Sequence, residues 1–179
     1  MYADNTLTPK EAARLCALGT LAAGELTYGE LAASVRHFMD RVQGPSLDIM
    51  GTSIELLKYE SLVKTLVGNG DDAVLAITDT GRCELNALLI ADVRPGATDL
   101  NKLVVALKFR FLHLLNMDDQ RGQADTLIDT TETELARLAD LRDHHQNEPG
   151  YLVAWLDHDI GELESRIIWL NEFSARLKS

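Results

Sequence analysis

The chain has 179 residues, of which 46% are hydrophobic, and it carries a formal net charge of -11 at pH 7. This length and apolar content suit one domain or a small module with an extension, and they exclude a disordered chain. No apolar run approaches the roughly 20 residues needed to span a bilayer, and Met1–Leu7 lacks the basic start and apolar centre of a signal peptide. We therefore expect a globular, cytoplasmic protein.

The first predicted helix begins after Thr8 and ends near Ala23. Thr8 can cap it, a proline occupies its first position, and Glu11 stands where a capping box needs an acid. Cys16 in this helix and Cys83 later in the chain form no Cys-x-x-Cys motif. Because free cysteine packs as a small hydrophobe, we predict that both are buried, reduced thiols.

Two further helices are predicted at Thr27–Val42 and Leu47–Glu60. The first of them opens with a second capping-box spacing. In the second, Met50, Ile54 and Leu57 repeat at spacings of four and three, which places them on one face toward the core. The opposite face of Leu47–Glu60 is then free to meet a partner.

A hairpin and another helix follow. The apolar runs Leu62–Val67 and Ala73–Ile77 flank a glycine-rich acidic turn, and Thr78–Arg82 opens a helix that runs to about Ala91. Two helices, a hairpin and a helix predict a mainly α fold with an N-terminal winged helix-turn-helix and a two-stranded wing. A break at Arg94–Thr98 sets the domain boundary, with residues 1–95 as the DNA-binding domain.

Residues 96–179 are predicted to form a C-terminal α-helical dimerisation domain. The last helix spaces its apolar residues alternately by three and four, as in a helical seam that needs a partner. Seven residues of this helix are the predicted dimerisation set: Trp155, Leu156, Ile160, Leu163, Ile167, Trp169 and Leu170. A two-fold dimer of helix-turn-helix domains matches a palindromic site in double-stranded DNA.

The order of several segments resembles the PadR family of bacterial transcription regulators. The segments are Ala17–Ala22, Gly29–Leu31, the hairpin and Thr78–Arg82, and Ile168–Phe173 resembles the C-terminal helix of the family. The family's usual Gly-Tyr-Glu-Leu lacks its tyrosine here, where Tyr28 precedes the glycine. The resemblance implies a homodimer built by the C-terminal helices and, as in some members, a small aromatic effector near the dimer interface.

Seven residues are predicted to face DNA: Tyr28, Arg36, Thr52, Glu55, Lys58, Tyr59 and Lys64. Thr52, Glu55 and Tyr59 are the candidates on the base side, and the others are candidate positioning contacts. Tyr28 has a second reading as a half-buried aromatic beside a helix cap. This surface is acidic for a DNA reader, because arginine, lysine, asparagine and glutamine make the usual base contacts.

No pattern for catalysis or for a cofactor stands out. The groups around His144-His145 and Asp157-His158-Asp159 lack the spacing of a zinc or di-metal site, so a solvated polar face is the favoured interpretation. We predict a dimeric PadR-like transcriptional repressor without enzymatic activity. The alternative is an interaction protein, an antirepressor or adaptor, that uses the acidic face of the same fold to bind another protein.

Overall fold

The computed structural model describes residues 6–44, 50–96 and 98–177, without the side chains of residues 43 and 50–53. The helices are α1 Pro9–Ala22, α2 Tyr28–Gln43, α3 Met50–Tyr59, α4 Asp79–Ile90, α5 Asp99–Phe111, α6 Met117–His144 and α7 Leu152–Leu177. The strands are β1 Leu26–Thr27, β2 Val63–Val67 and β3 Val74–Ile77, and short 3₁₀ turns occupy Gly70–Asp72 and Leu112–Leu114. The predicted mainly α fold is confirmed.

Both predicted capping boxes are present. The Thr8 hydroxyl accepts a hydrogen bond from the Glu11 amide, and Glu11 Oε2 accepts one from the Thr8 amide at 2.7 Å. Thr27 and Glu30 repeat this exchange at the start of α2, with the Thr27 amide 2.9 Å from Glu30 Oε2. The hydrogen bonds from the threonine amides hold the pKa of each glutamate below its usual value, because they stabilise the charged form.

The sheet has the strand order β1-β3-β2, with both pairings antiparallel. The hairpin β2–β3 is the predicted wing, and Leu66 is the extra residue of a bulge between Thr65 and Val67. Strand β1 was not predicted. It has only two residues, paired with Val74 and Leu75, and so short a strand has no detectable alternation.

The N-terminal part of the chain forms one compact unit that reaches beyond the predicted boundary. Residues 1–92 and 97–115 belong to it, and residues 93–96 belong with 116 onward. Helix α5 joins the first unit because it packs on α1 and α2. A Cβ on Gly19 would lie 2.6 Å from the Phe111 ring, so the glycine lets the ring lie directly on α1.

The second unit is a hairpin of two long helices. Helices α6 and α7 pack on each other and bury Leu127, Leu156, Leu163 and Leu170. The Arg121 Nε donates a hydrogen bond to the Leu177 carbonyl, and Arg142 Nε lies 2.9 Å from Asp157 Oδ1 near the other end. Each unit therefore has its own packed interior.

The two cysteines differ in their surroundings. Cys16 is buried and Cys83 is exposed, and both are free thiols, so the prediction of burial is wrong for Cys83, which lies on the outer face of α4. Burial raises the pKa of the Cys16 thiol to about 11, although the nearby Arg110 guanidinium favours the thiolate. Among the described helices, none combines the length and apolar character needed to cross a membrane.

Candidate nucleic-acid interface

Helix α3 presents a buried face and an exposed face, as its periodicity predicts. Ile54 and Leu57 are 0% and 1% exposed, so they anchor the helix in the core. Glu55 and Tyr59 lie on the outside, where Tyr59 is 88% exposed. The Thr52 side chain and the predicted start of this helix at residue 47 lie outside the described residues.

Two predicted cations come together beside the wing. A groove of about 320 Å³ is lined by Lys58, Ser61, Val63, Lys64, Thr65 and Thr78. Lys58 ends α3 and Lys64 lies on the exposed edge strand β2, so one groove joins the helix to the wing. Glu55 Oε2 lies 3.5 Å from Lys58 Nζ and offsets part of its charge. A groove with two ammonium groups can receive an anion such as a backbone phosphate.

The joint between α3 and the wing explains the Thr78–Arg82 pattern. The Thr78 hydroxyl caps α4 by accepting from the Gly81 amide at 3.0 Å, and it donates to the Ser61 carbonyl at 2.8 Å. A Cβ on Gly81 would lie 2.1 Å from the Leu62 carbonyl oxygen. Only glycine allows the first turn of α4 to lie this close to the backbone before β2.

The predicted contacts from α2 lie elsewhere. Tyr28 is the first residue of α2 and is half-buried, and its amide donates to the Ala73 carbonyl at 2.9 Å, beside the wing. Arg36 is exposed further along the same helix. Neither side chain lines the groove that holds Lys58 and Lys64. The groove therefore joins two of the seven predicted residues.

The tip of the wing is acidic and exposed. Asp71 and Asp72 occupy the 3₁₀ turn, and the preceding Gly68 has a φ of 84°. A positive φ of this kind favours glycine and allows the tight turn between the strands. The negative tip would repel a phosphate backbone, so any DNA contact of the wing has to come from the side that carries Lys64.

The predicted dimerisation set divides into two groups in α7. Leu156, Leu163 and Leu170 are buried in the hairpin with α6, so they stabilise the monomer's own fold. Trp155 and Trp169 are 55% and 45% exposed. Ile160 and Ile167 are half-buried on the flank of the leucine row. The residues left to meet a partner are therefore chiefly the two tryptophans.

One group on α7 has atoms that could coordinate a metal ion. A single possible ligand atom from each of His158, Asp159 and Glu162 lies within 4.8 Å of the other two. His158 and Glu162 are exposed, with 3.6 Å between Nε2 and Oε1. Exposed groups of this kind also form ordinary solvated ion pairs along a helix.

Comparison with protein families decides the class of the chain. A family model of AphA-like transcriptional regulators matches residues 2–174. The chain belongs to this family. Because the family consists of transcriptional regulators, the predictions of transcription regulation and of a protein without enzymatic activity are confirmed. No curated protein sequence matches this AphA-like regulator.

Several solved structures of Bacillus subtilis PadR are similar to this AphA-like regulator. PadR alone is 14% identical, with 97% of this chain and 99% of that chain covered and a TM-score of 0.42. PadR in complex with p-coumaric acid is 17% identical, with 97% and 99% covered and a TM-score of 0.39. PadR in complex with operator DNA is 17% identical, with 92% and 98% covered and a TM-score of 0.38.

Proposed function

We propose that this AphA-like regulator is a homodimeric repressor that binds palindromic double-stranded DNA through α3 and the wing. The observation that carries the proposal is the groove in which Lys58 and Lys64 meet, at the junction of the exposed face of α3 with strand β2. Two ammonium groups there can hold one DNA strand while Glu55 and Tyr59 face the bases. Occupation of an operator would exclude other proteins from the same DNA.

The homodimer is supported by the face of α7. Trp155 and Trp169 remain more than two-fifths exposed although each is large and apolar. Trp169 stacks on Phe173, with 5.7 Å between ring centroids. Exposed aromatic clusters mark protein interfaces, and a two-fold pair of α7 helices would bring two recognition helices to matching half-sites.

We further propose that a small aromatic acid binds on the same helix. A groove of about 780 Å³ is lined by residues of α7 that include Arg166 and Trp169. A guanidinium and an indole ring together complement a carboxylate and an aromatic ring. With p-coumaric acid as the probe, we expect a higher melting temperature for the wild type and a smaller shift for Arg166→Gln. Equal shifts for both proteins would contradict this site.

The DNA-binding proposal is tested by selection of bound fragments from the source genome at about 50 mM and about 200 mM salt, because phosphate contacts weaken steeply over this range. We expect one palindrome to be enriched at both salts. On that operator, Lys58→Gln and Lys64→Gln should each lower the slope of log K against log salt by about 0.9. Lys102→Gln, an exposed lysine on α5, is the matched control and should keep the wild-type slope.

A second candidate function, binding to another protein through the same surface, is favoured by the wing and α3. Tyr59 and Val67 are 88% and 65% exposed, and Asp71 and Asp72 are exposed at the wing tip. Apolar side chains rimmed by acids suit a protein partner better than a phosphate backbone. A folded dimer that enriches no DNA fragment even at low salt would replace the repressor proposal with this one.

A further inference from the structure

Arg14 connects three helices of the N-terminal unit. It lies in the middle of α1, and its Nη2 lies 2.8 Å from Glu60 Oε2 and donates a hydrogen bond to Oε1 at 3.0 Å. Its Nη1 donates a second hydrogen bond to Glu84 Oε1 at 2.9 Å. Glu60 directly follows the last residue of α3, and Glu84 lies in α4. One guanidinium therefore ties the end of α3 to both neighbouring helices.

The pairing depends on the shape of arginine as well as on its charge. The side chains of Arg14 and Glu84 are 25% and 32% exposed, so both are partly withdrawn from water. Partial burial disfavours the charged guanidinium, but the hydrogen bonds and charges of Glu84 and Glu60 outweigh it and raise the pKa of Arg14. A planar fork can serve two carboxylates at once, whereas the single ammonium of lysine is a point charge.

The end of α3 needs such a contact. Ser61 has a φ of 60°, a left-handed conformation that residues other than glycine disfavour. The Ser61 amide donates to the Lys58 carbonyl at 3.0 Å and the Leu62 amide donates to the Leu57 carbonyl at 2.9 Å. This helix end has the strained residue where glycine is usual, and α3 is too short to be stable alone. Its orientation therefore depends on contacts with the rest of the unit.

We propose that Arg14 is a positioning residue for DNA recognition, which holds α3 through Glu60 and so fixes how Lys58 and Glu55 meet the DNA. It does so without touching DNA itself, because its guanidinium is occupied by the two glutamates. The inference rests on the proposed DNA binding. It assigns a role that neither the charge nor the position of Arg14 in α1 predicts.

The decisive variant is Glu60→Gln in the full chain, assayed on the selected operator. Electrostatics alone predicts tighter binding, because an acid next to the recognition helix is removed. Loss of the tie to Arg14 predicts weaker binding, by about tenfold. Glu25→Gln removes an exposed acid outside the network and is the matched control, for which we expect unchanged or slightly tighter binding.

Arg14→Gln completes the test when affinity is measured at several salt concentrations and the melting temperature is measured in parallel. We expect about tenfold weaker binding with an unchanged salt slope, since no phosphate contact is lost. A slope lowered by about 0.9 would make Arg14 a phosphate contact and overturn the proposal. Tighter binding by Glu60→Gln, or wild-type affinity of folded Arg14→Gln, would also overturn it. A wild type that binds no DNA would overturn the proposed function and this role together.

Discussion

In α1 of the N-terminal unit, nine of the 14 residues are buried, whereas in α7 of the helical hairpin the buried residues are four of 26. The hairpin also buries polar side chains, among them Gln123, Thr131 and Glu134, while Trp155 and Trp169 remain exposed. An α-helix that is apolar nearly all round is enclosed by its own domain, and one with a narrow buried stripe has a second face for solvent or a partner.

This difference shows which interactions decide the behaviour of each unit. In the N-terminal unit, close approach of backbone and ring at Gly19 and Gly81 sets how the helices pack. In the hairpin, Gly122 and Gly161 have no atom within 4 Å of an added Cβ, so the helices there are separated by side chains. We therefore expect the first unit to be sensitive to small changes in shape and the second to be sensitive to changes in apolar surface.

The largest effect is expected for Gly81→Ala. The new methyl group would meet the Leu62 carbonyl oxygen at 2.1 Å, and backbone on both sides cannot move away without separating α4 from the wing. We expect the free energy of unfolding to fall by about 3 kcal/mol or more, measured by urea denaturation. The matched control is Gly161→Ala, which should stabilise α7 by about 0.5–1 kcal/mol because alanine is the better helix former. Equal effects at both glycines would contradict the contrast between the units.

A smaller effect separates the two apolar rows of α7. Leu163→Ala should lower the free energy of unfolding of the hairpin by about 2–5 kcal/mol, because it removes a buried side chain. Trp169→Gln should change the unfolding of the monomer by only about 0.5 kcal/mol, since this side chain is 45% exposed. The same substitution should weaken the proposed dimer about tenfold or more, measured by analytical ultracentrifugation.

The outcome that would contradict this division is a dimer unaffected by Trp169→Gln but dissociated by Leu163→Ala while the hairpin stays folded. The leucine row would then be the interface after all. Dilution series are needed for both variants, because the apparent stability of a dimer depends on its concentration.

Local signals in the sequence predicted much of the fold. The capping boxes at Thr8 and Thr27, the hairpin turn and the Thr78 cap each use residues within about five positions of one another, and their elements begin where expected. Strand β1 was missed because two residues have no periodicity. The assignment of α5 to the first unit was missed because its partners, α1 and α2, are distant in sequence.

The candidate site was predicted less well for the same physical reason. Arg14 is separated from Glu60 by 46 residues and from Glu84 by 70, and a lone arginine in a helix has no sequence signal for such partners. The heptad-like row of α7 predicted an interface, but spacing alone does not distinguish a seam with a second copy from one with α6 of the same chain. Exposure in the structure makes that distinction at Leu163 and Trp169.

The subtlest test of the N-terminal unit concerns Lys108, a lysine that is 1% exposed. Its Nζ donates to the carbonyls of Leu89 and Ala91 at 2.5 and 2.6 Å, at the end of α4. Burial lowers the pKa of Lys108 to about 8, although Asp92 favours the charged form. At pH 7, Lys108→Met should cost about 1–3 kcal/mol, because both carbonyls lose this donor.

The pH dependence of this cost has a definite sign. Between about pH 8 and the ordinary lysine value of 10.5, the unfolded chain keeps a proton that folded Lys108 has released. Wild-type stability therefore rises relative to Lys108→Met across this range, by at most about 3 kcal/mol. Urea denaturation of both proteins between pH 7 and pH 10 measures the gap, and Lys102→Met, at an exposed position of α5, should show no widening. A gap that narrows as pH rises would mean that the two carbonyls stabilise the charged ammonium more than burial disfavours it.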